Sequence, residues 1–259
     1  MEIQPGWKSV NIFVRDSTYG NPKTWNSQVG QDQTISDLFH RNPGGFVDLA
    51  ANDAVHISST YSLENNDNWD GICIEANPNY LWGLAHRKCQ VVSAVAWNVT
   101  NNIFDYTFTR RHEFGGVLSS ETDNKQNKNE TIYRLPTVPL TKILDDLAAP
   151  LTIHSLPLDV EGAEEIIMLN FAFDRYTILA ITIECPSANL INILRDNSYT
   201  YGMDQGWFGD KLFVHSTVDF SHVSTINPNL TSKVQRWVAH SHHRCDLYGS
   251  YLEGVSCVI

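Results

Sequence analysis

The chain has 259 residues, which is enough for one large domain with a substantial core or for two small ones. Its 18 Lys and Arg against 29 Asp and Glu give a formal net charge of −11, which argues against nonspecific nucleic-acid binding because phosphate binding needs clustered basic side chains. No run of about 18 apolar residues is present, so no membrane span is expected, and residues 1–5 lack the pattern of a signal peptide.

From residue 27 onward, apolar periodicity predicts helices and strands in alternation. In chain order, the first predicted elements are a helix within 27–39, a strand at 45–49, a segment at 58–63 that continues into a helix ending near 66, a strand at 71–75 and a helix at 80–87. Strands at 89–95 and 103–109, a helix at 140–147, a strand at 153–160 and a helix at 163–171 follow. The last are a strand at 178–185, a helix at 190–196, a strand at 211–215 and a helix at 227–240. The polar segment 119–130 is expected to be a mobile loop that orders when an acceptor binds.

This alternation predicts an α/β fold with a doubly wound, mostly parallel sheet. We expect a single domain over 1–259, with its core at about 27–215 and a C-terminal extension at 216–259.

Acidic residues stand at the ends of the first two predicted strands. Asp48 and Asp53 flank the turn after the first strand, which has no glycine, so a diphosphate is repelled and NAD, FAD and ATP are disfavoured. Glu75 ends the second strand, where a carboxylate can accept hydrogen bonds from two ribose hydroxyls. The pattern favours S-adenosylmethionine, whose ammonium can pair with an aspartate and whose carboxylate can bind amides such as that of Asn52. The alternative is that the two aspartates only cap a turn and a helix.

A second acidic cluster follows the predicted strand at 153–160. Asp159 lies at the same carboxyl edge of the sheet as Glu75, and that edge is where open α/β sheets bind ligands. Asp159 and Glu184 are therefore candidates for a general base or for ligands of a divalent metal ion, and Glu161 is a further catalytic candidate. Glu164 begins a helix, where the helix dipole alone favours an acid, so we interpret it as structural.

Four segments together resemble the FkbM-type methyltransferases, and their order and spacing match as well. They are 27–32 (Ser-Gln-Val-Gly-Gln-Asp), 46–53 (Phe-Val-Asp-Leu-Ala-Ala-Asn-Asp), 71–78 (Gly-Ile-Cys-Ile-Glu-Ala-Asn-Pro) and 158–164 (Leu-Asp-Val-Glu-Gly-Ala-Glu). Segments 181–184 and 206–214 resemble the later strands of that family. The resemblance implies a class I, S-adenosylmethionine-dependent fold and O-methylation of a hydroxyl on a small-molecule or glycan acceptor.

The resemblance also implies a cofactor site, with Asp159 near the transferred methyl group. The residues expected to contact the cofactor are Gln28, Asp48, Ala50, Asn52, Asp53, Ser58, Glu75, Ala76, Asn77 and Ala94. The chain departs from the family at Ala50 and Ala54, where glycines are usual, and a methyl group at such a position can narrow or obstruct the cleft.

Three further features have two interpretations each. The basic segment 110–112 lies on the side where acceptors enter, so His112 is a candidate base or substrate contact, and a plain surface turn is the equal alternative. Trp207 and Phe208 can stack on a sugar face or belong to the core. The segment 240–245 holds three histidines and a cysteine, but its spacing matches no standard zinc finger, and a solvated tail is favoured.

The five cysteines are odd in number and widely spread, and Cys73 and Cys185 fall inside predicted strands. This favours buried free thiols in a reducing compartment, and so a cytoplasmic location, although an anchor or partner domain in a longer chain would be compatible with the sequence. Asn-x-Thr sequons begin at Asn98, Asn129 and Asn229 and have meaning only in a secreted chain.

Methyl transfer to a hydroxyl requires alignment and help with deprotonation, because a hydroxyl has a high pKa. A carboxylate, a histidine such as His112 or His215, or bound Mg²⁺ or Mn²⁺ held by Asp159 and Glu184 would supply that help. Two other functions stay open: a cofactor-degenerate binding module of the same fold (a carbohydrate-binding or scaffold protein), and a nicotinamide-dependent oxidoreductase, which the missing glycine loop disfavours. The sequence leaves the acceptor and the oligomeric state open.

Overall fold

The computed structural model describes residues 25–108, 115–118, 132–206 and 209–223. Within them the helices are α1 (Gln31–Leu38), α2 (Tyr61–Asp67), α3 (Pro78–Leu84), α4 (Leu140–Asp146), α5 (Glu164–Leu169) and α6 (Ala188–Asp196). The strands are β1 (Gly45–Leu49), β2 (Asp70–Glu75), β3 (Gln90–Ser93), β4 (Val95–Trp97), β5 (Ile103–Phe108), β6 (Gly115–Val117), β7 (Ile132–Pro139), β8 (Thr152–Leu158), β9 (Thr177–Ile183), β10 (Tyr199–Gln205) and β11 (Asp210–His215).

Seven strands form the main sheet, in the order β10-β11-β9-β8-β1-β2-β3. The five strands from β9 to β3 are parallel, and β11 is antiparallel to both β9 and β10. This confirms the predicted doubly wound, mostly parallel sheet. Leu49 pairs with both Ile74 and Leu158, and Leu158 pairs with Ile183, so the residues that follow these four positions meet at one edge of the sheet.

Both faces of the main sheet are buried, as the continuous apolar runs of its parallel strands indicate. In β1, Val47 and Leu49 belong to one buried cluster, whereas Phe46 belongs to the other. The first cluster takes its helical residues from α4, α5 and α6, and the second takes them from α1, α2 and α3. Helices therefore cover the sheet on both sides and leave its carboxyl edge as the place for a ligand.

A second sheet with the order β4-β7-β5-β6 lies in the chain between β3 and β8 and was not predicted. The strand predicted over 89–95 is confirmed over Gln90–Ser93, but its predicted end is wrong, because the main-sheet strand ends at Ser93 and β4 pairs with β7 instead. No glycine or proline marks this change of sheet, so apolar periodicity alone predicts one continuous strand across it. In β7, Pro136 and Pro139 lower the expectation of a strand, which explains why it was missed.

The remaining predicted elements are present with shifted ends. The helix expected from residue 58 begins at Tyr61, and the strands expected to reach Val160 and Cys185 end at Leu158 and Ile183. Strand β10 was not predicted, because its central residues are exposed or only partly buried and give no clear alternation. The predicted loop at 119–130 and the helix at 227–240 lie outside the described residues.

Cys73 and Cys89 form a disulfide bond between β2 and the residue before β3. The prediction of buried free thiols is therefore wrong for this pair, although both residues are buried. Cys185 is exposed rather than buried. The thiol argument for a reducing compartment is lost, and the cytoplasmic location stays a prediction. None of the helices in the described ranges has the length and apolar character needed to cross a membrane.

Candidate active site

A cleft lies at the carboxyl edge of the main sheet. Its walls include the turn after β1, the ends of β2, β8 and β9, and residues of strands β4, β5 and β6 from the second sheet. The described residues that line it include no Lys or Arg. They include six acidic residues: Asp48, Glu75, Asp159, Glu161, Glu184 and Asp210. The cleft is therefore acidic and suits a neutral or positively charged ligand.

Glu75 is held in place by backbone amides at the end of β2. Its Oε2 accepts a hydrogen bond from the Asn52 N–H at 2.8 Å, and its Oε1 accepts one from the Asn77 N–H at 2.6 Å. Only 6% of Glu75 is exposed, and this burial raises the pKa of its carboxyl to about 7 despite those two bonds. Because a carboxylate has about four acceptor positions, Glu75 can still accept hydrogen bonds from the hydroxyl groups of a ligand.

Asn77 joins Glu75 to helix α3. Its Oδ1 accepts a hydrogen bond from the Asn79 N–H at 3.1 Å and so caps the helix, which starts with Pro78. Its side-chain nitrogen Nδ2 is buried and has no hydrogen-bond partner among the described residues. A buried amide donor without a partner, in a side chain that lines a cleft, is a group that a ligand can satisfy.

The turn after β1 bends through two left-handed residues, Ala50 at φ 60° and Asn52 at φ 56°. Glycine adopts this conformation freely, whereas an alanine there costs about 1 kcal/mol. The Ala50 position therefore has the geometry for which the family uses glycine, and its residue lines the cleft. Ala54 does not line the cleft; it lies beside Gly83 of α3.

The two aspartates of this turn have other partners than the expected ligand. The Asp53 carboxylate accepts hydrogen bonds from the N–H groups of Val55 and His56, and Asp53 is absent from the cleft wall, so its expected cofactor contact is not supported. Asp48 lines the cleft but is buried; it accepts a hydrogen bond from the Thr60 hydroxyl. Burial raises the pKa of Asp48, and the nearby Arg87 opposes that rise.

Arg87 is a buried cation that the sequence did not single out. Its side chain is 2% exposed; Nη1 lies 4.0 Å from an Asp48 oxygen, and Nη2 lies 3.0 Å from a Glu64 oxygen. It also donates hydrogen bonds to the hydroxyls of Ser58 and Thr60. Since Asp48 is already paired with this cation, its expected ion pair with a ligand ammonium is weakened. In the sequence Arg87 sits beside His86 and Lys88 and resembles a surface residue.

Three carboxylates converge beside the ends of β8 and β9. Single ligand atoms of Asp159, Glu164 and Glu184 all lie within 4.8 Å of one another. Asp159 is exposed to the cleft, whereas Glu164 is 7% exposed and its Oε1 accepts the Val160 N–H at 2.9 Å. Burial raises the pKa of Glu164 to about 7, with a contribution from the Asp159 charge. Glu164 is therefore both a structural residue and a neighbour of the predicted pair.

Asp210 extends this acidic group and was missed by the sequence prediction. It is 8% exposed, begins β11 and lines the cleft. Burial raises the pKa of Asp210 to about 8, the charge of Asp159 adds to the rise, and Gln31 Nε2 donates a hydrogen bond to it at 2.9 Å. Gln31 belongs to the Ser-Gln-Val-Gly-Gln-Asp segment, so that segment helps to form the acidic end of the cleft. The acid directly after Gly209 was the only sequence signal for this role.

Most other expected site residues line the cleft. These are Gln28, Ser58, Ala76, Ala94 and Glu161. Glu161 has φ 59° and is followed by Gly162 at φ 92°, which makes the sharp turn between β8 and α5. His215 is absent from the cleft wall, and its ring contacts Tyr199 and Thr217. His112, Trp207, Phe208 and the segment 240–245 lie outside the described residues.

The second sheet supplies an aromatic wall that the sequence did not reveal. Trp97, Tyr106 and Phe108 line the cleft together with Gly115 and Gly116. A methyl group added to Gly115 would lie 2.8 Å from the Phe108 ring, so glycine is needed for the ring and the strand to lie so close. The cleft therefore has acidic strand ends and an aromatic wall.

Comparison of the sequence with protein families agrees with this geometry. A family described as the methyltransferase FkbM domain matches residues 48–201. No curated protein sequence matches the chain. Among solved structures, the crystal structure of precorrin-6y C5,15-methyltransferase from Geobacter metallireducens GS-15 has 15% sequence identity and a TM-score of 0.38, over 66% of this chain and 72% of that chain.

Proposed function

Because this chain belongs to the FkbM methyltransferase family and has its class I, doubly wound sheet, we propose that it transfers a methyl group from S-adenosylmethionine to a hydroxyl of a sugar, a glycan or a natural product. The observation that carries this proposal is the Glu75 carboxylate, which two backbone amides hold at the end of β2. A carboxylate fixed in this way accepts further hydrogen bonds in set directions, which suits the paired hydroxyls of a ribose.

The donors and acceptors of the cleft fit such a cofactor. Glu75 would bind the ribose, and the unpartnered Nδ2 of Asn77 supplies a donor beside it. Asn52 and Ser58, on the loop after β1, would bind the charged amino-acid end. When bound, S-adenosylmethionine supplies a methyl group on a positively charged sulfur, a charge that an acidic cleft attracts.

The residues of the acidic group would manage the proton of the acceptor hydroxyl. Asp159 is exposed in the cleft and is the residue we expect to accept that proton, with Glu161 and Glu184 as further catalytic candidates. Glu164 and Asp210, with pKa values raised to about 7 and about 8, each hold a proton for part of the time at neutral pH. A proton taken up by Asp159 can therefore be shared within the group rather than retained by one side chain.

A divalent cation is a second way to offset this negative charge. Mg²⁺ or Mn²⁺ bound by Asp159 and Glu184, with Glu164 as a third ligand, would lower the pKa of an acceptor hydroxyl. The test is turnover in EDTA followed by addition of Mg²⁺ or Mn²⁺. Loss and recovery of turnover would support the cation, and full turnover in EDTA would leave proton sharing as the mechanism.

One observation favours the alternative of a cofactor-degenerate binding module: the Ala50 methyl group stands in the cleft wall at a glycine-like backbone position. Calorimetry with S-adenosylmethionine and with S-adenosylhomocysteine separates the two functions. The methyltransferase should bind both and release S-adenosylhomocysteine in an acceptor screen. A folded protein that binds neither would favour a carbohydrate-binding or scaffold role.

A further inference from the structure

Tyr106 carries a buried hydroxyl that the fold leaves unsatisfied. The residue lies in β5, opposite Val117 of β6 and Tyr133 of β7, and only 3% of it is exposed. Tyr106 is one of the residues that line the cleft, and its buried hydroxyl has no hydrogen-bond partner among the described residues. Leaving a hydroxyl buried and unpaired costs roughly 1–3 kcal/mol, so phenylalanine would be the more stable residue if packing alone mattered.

The hydroxyl can act as a hydrogen-bond donor over the whole physiological range. Burial raises the pKa of Tyr106 far above its ordinary value, so the phenol keeps its proton. A partner is therefore an oxygen or nitrogen with a free lone pair. The described residues around Tyr106 supply no such atom, and a ligand in the cleft can supply it.

The substrate that receives the methyl group is a better hydrogen-bond partner for the Tyr106 hydroxyl than the cofactor is. The expected cofactor contacts lie on the main sheet and its loops. There Glu75 can accept hydrogen bonds from an adenosine, and the Nδ2 of Asn77 can donate one to it. Tyr106 belongs to the second sheet, which supplies the aromatic wall. The Phe108 ring lies 6.4 Å from the Tyr106 ring at an interplanar angle of 23°.

The charge of the cleft narrows the chemistry of the acceptor. No Lys or Arg stands among the described lining residues, and the carboxylates at the opposite wall are hydrogen-bond acceptors. The described lining residues would repel an anionic methyl acceptor, whereas a neutral compound with many hydroxyls can donate hydrogen bonds to the carboxylates. An aromatic ring and closely packed glycines offer a flat apolar face, to which the C–H face of a sugar ring is complementary.

We propose that the Tyr106 hydroxyl donates a hydrogen bond to an oxygen of a neutral hexose-type acceptor whose ring packs on Phe108. This assignment rests on the proposed methyltransferase function and names the substrate class of the same cleft. It makes Tyr106 a specificity-determining residue for the acceptor and not for the cofactor.

The experiment compares the wild type with Tyr106→Phe in two measurements. Calorimetry measures the affinity for S-adenosylhomocysteine, and saturation-transfer NMR on the S-adenosylhomocysteine complex measures binding of the methyl glycosides of glucose, galactose, mannose, fucose and N-acetylglucosamine. Tyr133→Phe is the matched control, because Tyr133 lies in the same sheet and is absent from the cleft wall. The centre of its ring lies 5.2 Å from the centre of the Phe108 ring.

We expect the wild type to bind at least one glycoside, and Tyr106→Phe to bind it about three- to tenfold more weakly, as for the loss of one neutral hydrogen bond. Affinity for S-adenosylhomocysteine should stay within about twofold, Tyr133→Phe should change neither, and the melting temperature of Tyr106→Phe should not fall.

Equal glycoside binding by Tyr106→Phe would overturn the assignment, and so would a fall in its melting temperature, which would indicate a partner within the protein. Weaker S-adenosylhomocysteine binding by that variant would place the hydroxyl on the cofactor. If the wild-type complex binds none of the glycosides, the hexose class is wrong. Failure of the wild type to bind S-adenosylhomocysteine would instead contradict the proposed function itself.

Discussion

Replacing Glu75 by alanine removes the acceptor of two backbone N–H groups and, in our proposal, the residue that binds the ribose. A charged hydrogen-bond acceptor of this kind is worth about 2–3 kcal/mol to a ligand, so the dissociation constant of S-adenosylmethionine should rise roughly 30- to 150-fold. The variant should still fold. Two backbone amides lose their hydrogen-bond acceptor, which destabilises the fold. Burial has raised the pKa of Glu75 from 4.5 to about 7, so removing the buried carboxylate also removes an unfavourable free energy of about 3 kcal/mol and offsets that loss.

Glu164→Ala is the matched control for this measurement. Glu164 is also buried, its Oε1 also accepts two backbone amides, from Val160 and Gly162, and its pKa is also about 7, but it is absent from the cleft wall. Calorimetry should show a similar change in unfolding free energy in both variants and a large loss of cofactor affinity only in Glu75→Ala. Equal cofactor binding by Glu75→Ala and wild type, or an equal loss in both variants, would refute the role of Glu75.

The pH dependence of binding gives a second view of the same residue. Only the ionised Glu75 accepts hydrogen bonds from both ribose hydroxyls, and its pKa of about 7 means that the ionised fraction falls about tenfold between pH 8 and pH 6. Affinity for S-adenosylmethionine should fall by about that factor, and Glu75→Gln should remove the part of the pH dependence that comes from this residue. A wild-type affinity that does not change over this range would contradict the raised pKa.

Three other outcomes follow from the site. Burial raises the pKa values of Glu164 and Asp210 in the folded protein to about 7 and about 8, so their contribution to stability is fully present below about pH 4 and is lost as the pH rises through those values. The ligand-free protein should therefore melt at a higher temperature at pH 6 than at pH 8.5. The reverse order of melting temperatures would contradict the raised pKa values. Ala50→Gly should relieve the strain at φ 60°, stabilise the fold by up to about 1 kcal/mol in denaturant titration and leave cofactor affinity unchanged or higher, whereas a destabilised protein would argue against that backbone conformation. Asp159→Asn should lower kcat far more than it lowers cofactor affinity, as measured by S-adenosylhomocysteine release, and near-normal turnover would remove Asp159 from the mechanism.

The sequence alone determined the parallel part of the main sheet and the edge at which its acidic strand ends meet. A buried parallel strand is a local pattern, an apolar run that ends in an acid and a turn, so the pattern by itself places Glu75, Asp159 and Glu184 at one edge of the sheet. The four segments that resemble the family added the family assignment and the expectation of a cofactor site at that edge, because their order and spacing are themselves properties of the sequence.

Only the tertiary structure decided which of those groups have other partners. The Asp53 carboxylate accepts hydrogen bonds from its own loop, and Asp48 lies beside Arg87, 39 positions further along the chain, which the sequence did not reveal. The Cys73–Cys89 disulfide, the approach of Asp210 to the acidic group and the unpaired Tyr106 hydroxyl all depend on contacts between segments that are distant in sequence. Periodicity reports which face of an element is buried, but it carries no information on which element packs against that face, and burial by that neighbour sets the charge and hydrogen bonding of each side chain.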